Sequence, residues 1–398
     1  MNAATTATPA ESAAAAAAAE IESPSSPHRR SRPAPHESPP QPPLPAATSS
    51  SRILGYDVAR AVAICGMVVD HSAQVIGPAD PAGWGQTLLD FMDGRASAVF
   101  VVLAGVGVSL LCRKHAPADL RRTLLRRGAL LLAIGFVNQA IWPGDILRTF
   151  GVAIMLAGFL VPLGSRALLA VAAAIVLAFP ALWLTVDYDA HWNWGTMHYA
   201  NLWRPAGIVR NLFYDGFRPV IPWAGLLVLG MWIGRLDVTR AAVRRRMFAC
   251  GVGMMLAVEI GSRVILSYAL AHRGGVSESN LRDWLETGSM PPLPLFVLTT
   301  TGWALAVIAL GLAVGVRRPQ STAVRALVAT GQLALTWYVG HILLGAVLVH
   351  FAGWHRFDSL PLSLLAGVSL FTLMVLTSAL AKRRWRTGPM EWLLRRAG

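Results

Sequence analysis

Four ionisable residues interrupt the first apolar stretch of the chain, DVARAVAICGMVVDH at residues 57–71. They are Asp57, Arg60, Asp70 and His71. In an α-helix, residues eleven apart differ by about 20° around the axis and stand roughly 16 Å apart along it, so Arg60 and His71 share one face. Asp57 joins that face one turn before Arg60. A guanidinium binds anions and a neutral imidazole takes a proton from a hydroxyl or amine, so the face could serve group transfer or a proton relay.

A charged side chain at mid-bilayer costs at least about 2 to 3 kcal/mol, so it normally faces a bundle interior or a wet cavity. The polar face of this stretch is therefore a candidate functional site. A purely structural interpretation stays open, in which Asp57 and Arg60 neutralise each other near one interface while Asp70 and His71 end the helix at the other.

Further polar residues lie in stretches that are expected to approach His71. Asp93 and Arg95 open FMDGRASAVFVVLAGVGVSLL, whose small residues permit close helix packing, and His341 lies in GQLALTWYVGHILLG. Asp70 projects about 100° around the helix from His71, so Asp93 is the better candidate to orient its imidazole. Arg95 or His341 could stabilise negative charge that develops during a reaction.

The composition indicates that these residues belong to a polytopic, all-α membrane bundle. The 398 residues are 54% hydrophobic and only 14% charged, whereas soluble domains carry about 25% charged residues. Apolar runs approaching or exceeding the roughly 18 to 20 residues that cross a bilayer recur along the chain. We predict ten transmembrane helices, near residues 53–77, 95–112, 123–142, 146–163, 166–186, 218–235, 247–271, 293–316, 325–350 and 361–381.

The basic residues predict the orientation of these helices. The net charge is +14, but most of the 35 Lys and Arg form clusters on alternate sides of the apolar runs, which is an orientation signal and not a nucleic-acid surface. Both termini are therefore expected in the cytoplasm, with the bundle in the inner membrane among lipids. In the seventh predicted helix, Glu259 and Arg263 lie one turn apart and are expected to form an ion pair. The sequence also leaves open whether the protein forms a homodimer.

Three segments follow from these patterns: an Ala/Pro/Ser-rich cytoplasmic tail over 1–50, expected to be disordered and not a signal peptide, a bundle over 51–381 and a basic segment over 382–398. The three cysteines lie far apart and predict neither a disulfide framework nor a metal site. The aromatic loop DYDAHWNWGTMHYANLWRP is expected at the outer surface, either as an aromatic belt at the headgroups or as a stacking surface for a sugar.

Several segments in order carry a family resemblance: LGYDVARAVAICGMVVDHSA, LLDFMDGRASAVFVVLAGVGVSLL, DILRTFGVAIMLAGFLVPLGSRALLAVAAA, VIPWAGLLVLGMWIGRLDV, GQLALTWYVGHILLG and TGPMEWLLRR. Together they resemble bacterial proteins with a heparan-α-glucosaminide N-acetyltransferase-like catalytic domain, a branch of the transmembrane acyltransferases. The spacing of Arg60 and His71 is also similar to that in the envelope-sugar O-acetyltransferases of acyltransferase family three.

The resemblance implies transfer of an acyl group, in the first instance acetyl, from cytosolic acyl-CoA to a hydroxyl or amine of an envelope sugar or another small acceptor. His71 would be the assisting histidine, because the loop PADPAGWGQTLLDF has none where the animal lysosomal enzyme carries its catalytic histidine. Direct transfer and an acyl-histidine both stay open. The CoA phosphates would be bound by Asp57 and Arg60 together with the arginines of RRTLLRR: Arg121, Arg122, Arg126 and Arg127.

Two other interpretations remain at this stage. The RRTLLRR arginines also satisfy the topology signal alone. The alternative function is a proton-coupled transporter or channel for a small solute, which predicts internal inverted repeats with interrupted helices, and no such repeat is visible in the sequence.

Overall fold

A computed structural model describes residues 52–77, 83–196, 198–350, 359–385 and 387–398. The tail predicted over residues 1–50 lies outside the described residues. Within them the chain is almost entirely helical, with one short hairpin between α6 and α7. The elements are α1 (Leu54–Ile76), α2 (Trp84–Met92), α3 (Arg95–Cys112), α4 (Pro117–Gln139), α5 (Leu147–Leu160), α6 (Ser165–Trp183), β1 (Trp192–Asn193), β2 (His198–Tyr199), α7 (Pro205–Arg210), α8 (Val220–Ile233), α9 (Ala241–Ala271), α10 (Glu278–Leu285), α11 (Pro294–Arg317), α12 (Thr322–Gln332), α13 (Ala334–His350), α14 (Leu360–Arg384) and α15 (Pro389–Arg396).

A helix is present at each of the ten predicted positions, but fewer of them qualify as membrane spans. Among the described residues, five helices are long and apolar enough to cross a membrane, or up to seven if each of two bent pairs is one span. Two physical features account for the three predicted spans that do not qualify. The 23-residue helices α1 and α4 are long enough, but their charged and polar residues lower their hydropathy, and α5 has only 14 residues. The predicted helix over 325–350 is broken at Leu333 into α12 and α13, which are bent by 74°.

Helix α1 lies inside the bundle and packs against α3, α11, α12, α13 and α14. Its buried face includes Ile64, Met67 and Val68, which belong to the main hydrophobic core. Because α1 is surrounded by other helices, its ionisable side chains face protein and cavities. This is the arrangement that makes charged groups in an apolar bundle tolerable.

Small residues allow the closest helix contacts. A side chain at Gly331 in α12 would collide with the backbone carbonyl of Asp57 in α1, so the two helices meet at van der Waals distance. The same holds for α3 and α8, where Gly105 and Gly230 each approach the backbone of the other helix. The small residues of α3 therefore do permit the close helix packing that the sequence predicted.

The helices at the periphery expose apolar surface. Only 11% of the most apolar 18-residue segment of α9 is buried inside the bundle, compared with 67% of the corresponding segment of α11. The exposed side chains of α9 include Ile260, Val264 and Ile265. Such a face is unfavourable in water and is typical of helices that contact lipid.

Candidate functional site

Two histidines from distant parts of the chain form a hydrogen-bonded pair. His71 Nδ1 lies 2.9 Å from His341 Nε2, and the two rings stack with centroids 5.1 Å apart. His341 Nδ1 lies 3.0 Å from the backbone carbonyl oxygen of Trp337, one turn earlier in α13. His71 is half-buried and His341 is buried. The structure therefore brings together two residues that the sequence identified separately.

The carbonyl of Trp337 fixes the protonation pattern of this pair. A carbonyl oxygen only accepts hydrogen bonds, so Nδ1 of His341 carries a proton and donates. In the neutral ring, Nε2 of His341 then accepts, and the donor is Nδ1–H of His71. Nε2 of a neutral His71 is consequently unprotonated, so its lone pair can accept a proton.

The break between α12 and α13 sets the direction in which His341 approaches α1. The first turn of a helix has backbone N–H groups without intrahelical partners. Here the side chain of Glu391 in α15 accepts hydrogen bonds from the backbone N–H and the hydroxyl of Thr336, at 3.0 and 2.5 Å. The C-terminal helix α15 thus caps α13 and stabilises the bend.

Aromatic side chains surround the histidine pair. The ring of Trp142, in the connection between α4 and α5, lies 5.2 Å from the ring of His71. The ring of Tyr338 contacts His341 edge to face at 5.7 Å. The Tyr338 hydroxyl donates to Asp145 Oδ1 at 3.0 Å and accepts from the backbone N–H of Ile146.

Asp145 links the connection between α4 and α5 to Tyr338 through a hydrogen bond. Its carboxylate also accepts from the Asn138 side chain and from the backbone N–H groups of Leu147 and Arg148 at the start of α5. Burial raises the pKa of Asp145 to about 6, although the hydrogen bonds from Asn138 and Tyr338 act in the opposite direction. These contacts fix the loop that carries Trp142.

A cavity of about 410 Å³ opens on one side of the histidine pair; we call it the histidine cavity. Its wall is mostly apolar. Apart from the pair, the residues that line it include Ser72, Val75, Ile141, Trp142, Pro143, Ile342 and Leu370. Both imidazoles line it, so a molecule in this cavity has direct access to them.

A second cavity of about 350 Å³, the arginine cavity, lies along the same face of α1 toward its N-terminal end. Its basic residues are Arg52, Arg60, Arg127 and Arg395, and its apolar wall includes Met67, Phe100, Leu131, Ile146, Leu147 and Phe150. Tyr338 also lines it and contacts His341, which lines the histidine cavity. The Tyr338–His341 contact therefore separates the two cavities.

The charges at the N-terminal end of α1 are paired as the sequence predicted. Arg60 Nη1 donates to Asp57 Oδ1 at 2.6 Å, and Arg52 Nε donates to Asp57 Oδ2 at 2.5 Å. Asp57 is buried, whereas Arg60 is partly exposed and lines the arginine cavity. One carboxylate thus holds two arginines at the mouth of the cavity, with net positive charge left over.

The RRTLLRR arginines divide into two groups. Arg127 lines the arginine cavity and donates to the backbone oxygen of Gly398 at 2.8 Å. Arg121, Arg122 and Arg126 are exposed and do not line it. Arg395, which the sequence analysis did not single out as a site residue, lines the cavity with Arg127.

The other predicted site residues pair elsewhere. Asp93 was expected to orient the imidazole of His71. Instead, Asp93 Oδ1 accepts a hydrogen bond from Arg218 Nη2 at 2.7 Å, and His71 is hydrogen-bonded to His341. Arg95 is buried and donates to Glu259.

The expected pairing of Glu259 with Arg263 is therefore wrong, because Glu259 pairs with Arg95 of α3 while Arg263 is exposed. Asp70 is buried, and its Oδ1 has no hydrogen-bond partner in the described part of the chain. Within the ranges that the structure describes, no group of three His, Cys, Asp or Glu side chains could hold a metal ion.

The sequence analysis missed Trp142, Asp145, Arg218 and Tyr338. Tyr338 had a usable signal, because it precedes His341 by three residues and shares its helix face. Trp142 and Asp145 lie in a short connection, where neither periodicity nor spacing indicates which element they contact.

Two known protein families match parts of the chain. Residues 52–273, more than half of the chain, match the family described as heparan-alpha-glucosaminide N-acetyltransferase, catalytic. Residues 238–398 match a family of unknown function, DUF418. No curated protein matches the chain. The first match covers α1, α3 and the loop that carries Trp142, and it shows that the chain belongs to the heparan-alpha-glucosaminide N-acetyltransferase catalytic family.

Proposed function

We propose that the protein transfers an acyl group, in the first instance acetyl, from acyl-CoA in the arginine cavity to an acceptor in the histidine cavity. The observation that carries the proposal is the His71–His341 pair, which lines the histidine cavity and contacts Tyr338 in the wall of the arginine cavity. Family membership supports a membrane acyltransferase and does not favour the transporter alternative.

The arginine cavity suits acyl-CoA as co-substrate because its two ends differ in polarity. Arg52, Arg60, Arg127 and Arg395 offer guanidinium groups that bind phosphates through charge-assisted hydrogen bonds. The apolar wall beyond them suits a thioester arm. Arg60 and His71 are eleven residues apart on one helix face, roughly 16 Å along the axis, so a long arm must span that distance.

The lone pair on Nε2 of His71 supports general base catalysis. During attack on the thioester carbonyl, the acceptor forms a new C–O or C–N bond and its proton moves to Nε2 of His71. The C–S bond breaks, and the same proton then neutralises the departing thiolate. Nδ1–H of the resulting imidazolium donates to His341, which holds the ring in place throughout.

The topology that fits this function has ten spans, with both termini in the cytoplasm and the bundle in the inner membrane. The basic residues at the N-terminal end of α1 and in RRTLLRR support this orientation through the positive-inside rule. The arginine cavity would then open toward the cytosol, where acyl-CoA is made, and His71 would lie close to the outer surface. An acceptor from the envelope would reach the pair through the histidine cavity.

The experiment compares wild type with His71→Ala and with His272→Ala, an exposed histidine at the end of α9 as matched control. Purified protein in detergent is assayed for acetyl-CoA binding and for release of free CoA. We expect His71→Ala to bind acetyl-CoA with unchanged affinity but to lose roughly 100-fold or more of the release rate, whereas His272→Ala behaves as wild type. A wild-type protein that neither binds nor cleaves acetyl-CoA would contradict the proposal and return the transporter to consideration.

A further inference from the structure

A cavity of about 680 Å³ lies where α14 ends, between the break that separates α12 from α13 and the start of α15; we call it the bend groove. This volume is within the roughly 300 to 1,000 Å³ of small-molecule sites. The residues that line it include Leu333, Thr336, Leu380, Arg384, Trp385 and Thr387. None of these lines the histidine cavity or the arginine cavity, so the bend groove is a separate feature.

The apolar part of the bend groove continues onto a lipid-facing helix surface. Only 17% of the most apolar 18-residue segment of α14 is buried inside the bundle. Leu380 lines the groove and is 61% exposed, and Leu376 and Leu373 are exposed one and two turns earlier in α14. Residues three or four apart share one helix face, so these three leucines form an apolar strip that ends in the groove. An acyl chain can lie along this strip.

The polar part of the bend groove carries hydrogen-bond donors that suit a phosphate. The last turn of α14, a helix long and apolar enough to cross a membrane, contains Lys382, Arg383 and Arg384. Basic residues at the end of a span lie at headgroup level and attract anionic lipids. Of the three, only Arg384 lines the groove, together with Thr387. Neither of these two side chains has a hydrogen-bond or ion-pair partner within the described ranges, so both are available to a ligand.

The rim of the bend groove is aromatic and free of acidic side chains. Trp385 lines it and is 65% exposed. Tryptophan is enriched at headgroup level, because its ring is apolar and its N–H is polar. None of the described residues that line the groove is Asp or Glu, and Glu391 of α15 is hydrogen-bonded to Thr336 instead. The groove therefore matches both ends of an anionic phospholipid, the acyl chain and the phosphate.

The bend groove adjoins the turn that positions His341. Thr336 and Trp337, in the first turn of α13, line the groove. Trp337 Nε1 donates to Ser378 Oγ of α14 at 2.7 Å, and the backbone carbonyl of Trp337 accepts the hydrogen bond from His341. A molecule in the groove would therefore contact the junction between α13 and α14 and stabilise the bend.

We propose that the bend groove is a binding site for an anionic phospholipid, with Arg384 and Thr387 donating to the lipid phosphate and an acyl chain lying along Leu380 and Leu376. The positive-inside signal requires only that basic residues end α14, and in that respect Arg383 and Arg384 are equivalent. A built lipid site makes them different, because Arg384 alone lines the groove. Lipid binding here does not depend on acyl transfer.

The test counts lipids bound to the full chain by native mass spectrometry in detergent. Dioleoylphosphatidylglycerol and dioleoylphosphatidylcholine, which carry the same acyl chains, are titrated separately to obtain Kd for the first bound lipid. Glycerol 3-phosphate, which has the phosphate but no acyl chain, serves as competitor. The variants are Arg384→Gln and Thr387→Val, with Arg383→Gln, the exposed neighbour outside the groove, as matched control. Melting temperature without added lipid reports folding, and it should match wild type in all three.

We expect phosphatidylglycerol to bind at least about fivefold more tightly than phosphatidylcholine, since each basic residue near a membrane surface is worth about that factor for an anionic lipid. Arg384→Gln should weaken phosphatidylglycerol binding at least about fivefold and Thr387→Val by about two- to fivefold, whereas Arg383→Gln should change it less than about twofold. Glycerol 3-phosphate should not compete. Phosphatidylglycerol should also raise the melting temperature of wild type more than that of Arg384→Gln.

Equal weakening by Arg383→Gln and Arg384→Gln would overturn the proposal, because the lipid would then respond to the basic cluster as a whole. Equal binding of the two lipids, or competition by glycerol 3-phosphate, would overturn it as well, the latter by showing a site for a free anion. His71→Ala should bind phosphatidylglycerol as wild type does. Loss of CoA release with that binding intact leaves the lipid site standing whatever the fate of acyl transfer, and His71-dependent CoA release without it refutes the lipid site alone.

Discussion

Replacing His341 tests how the histidine pair works. In His341→Phe the ring remains, so its stacking on His71 is kept, but the acceptor for His71 Nδ1–H is lost. In His341→Gln the side-chain oxygen can accept that hydrogen bond again. The two variants therefore separate the hydrogen bond from the shape of the ring.

The expected size of the effect follows from the charge on His71. A hydrogen bond to a neutral group is worth about 0.5 to 1.5 kcal/mol, and one to a charged group about 1.5 to 3 kcal/mol. Only the difference between the two, about 1 to 1.5 kcal/mol, stabilises the transition state relative to the ground state. We therefore expect His341→Phe to lower kcat by roughly five- to tenfold. His71→Ala, by comparison, should lose the general base contribution of roughly 100- to 10,000-fold.

The assay is release of free CoA from acetyl-CoA in the presence of glucosamine or maltose, a sugar with an amine and a sugar with hydroxyls only. KM for acetyl-CoA should stay within about twofold in His341→Phe, because His341 does not line the arginine cavity. His341→Gln should recover most of kcat. A loss of 100-fold or more in both His341 variants would refute the reasoning, because His341 would then take part directly in the chemistry, as an oxyanion stabiliser or as the acylated residue.

Three further predictions address the donor side, the packing and the loop. Arg60→Gln should raise KM for acetyl-CoA about tenfold, because it removes a charge-assisted contact to a CoA phosphate. Arg122→Gln, an exposed position outside the arginine cavity, should change KM less than about twofold in the same assay, and equal effects of the two variants would contradict the placement of CoA in that cavity. Gly331→Ala should destabilise the fold by about 1 to 3 kcal/mol and lower the melting temperature, while Gly253→Ala, which has open space around it, should not; equal melting temperatures would refute the close contact with Asp57. Burial raises the pKa of Asp145 from 3.8 to about 6, so the wild-type free energy of unfolding should fall by up to about 3 kcal/mol between pH 4 and pH 6. Asp145→Asn should lack this loss, and thermal-unfolding curves of the two proteins that stay parallel from pH 4.5 to 7.5 would contradict the prediction.

Apolar run length predicted the helices well, because each run must be buried or face lipid whatever its neighbours are. It did not predict the break at Leu333. The stretch GQLALTWYVGHILLG contains no proline, and α13 is capped by Glu391, which lies 55 residues beyond Thr336. A helix end that depends on so distant a cap has no local signal.

The sequence singled out both members of the histidine pair but not their pairing. An ionisable residue in an apolar run is conspicuous, so His71, His341, Asp93 and Arg95 were all selected, but the structure pairs Asp93 with Arg218 and Arg95 with Glu259. Their partners could not be identified, since His71 and His341 are separated by 270 positions. The partner of a buried charge is decided by which helices are neighbours, and that information is tertiary.

Sealed proteoliposomes test the central claim most directly, namely that an acyl group passes from a donor on one side of the bilayer to an acceptor on the other. Acetyl-CoA labelled in the acetyl group is added outside vesicles that contain trapped glucosamine and maltose, one sugar with an amine and one with hydroxyls only. The account predicts labelled sugar inside the vesicles with wild-type protein, at least about 100-fold less with His71→Ala, and free CoA remaining outside. Labelled sugar that forms only when donor and acceptor share one compartment would contradict it.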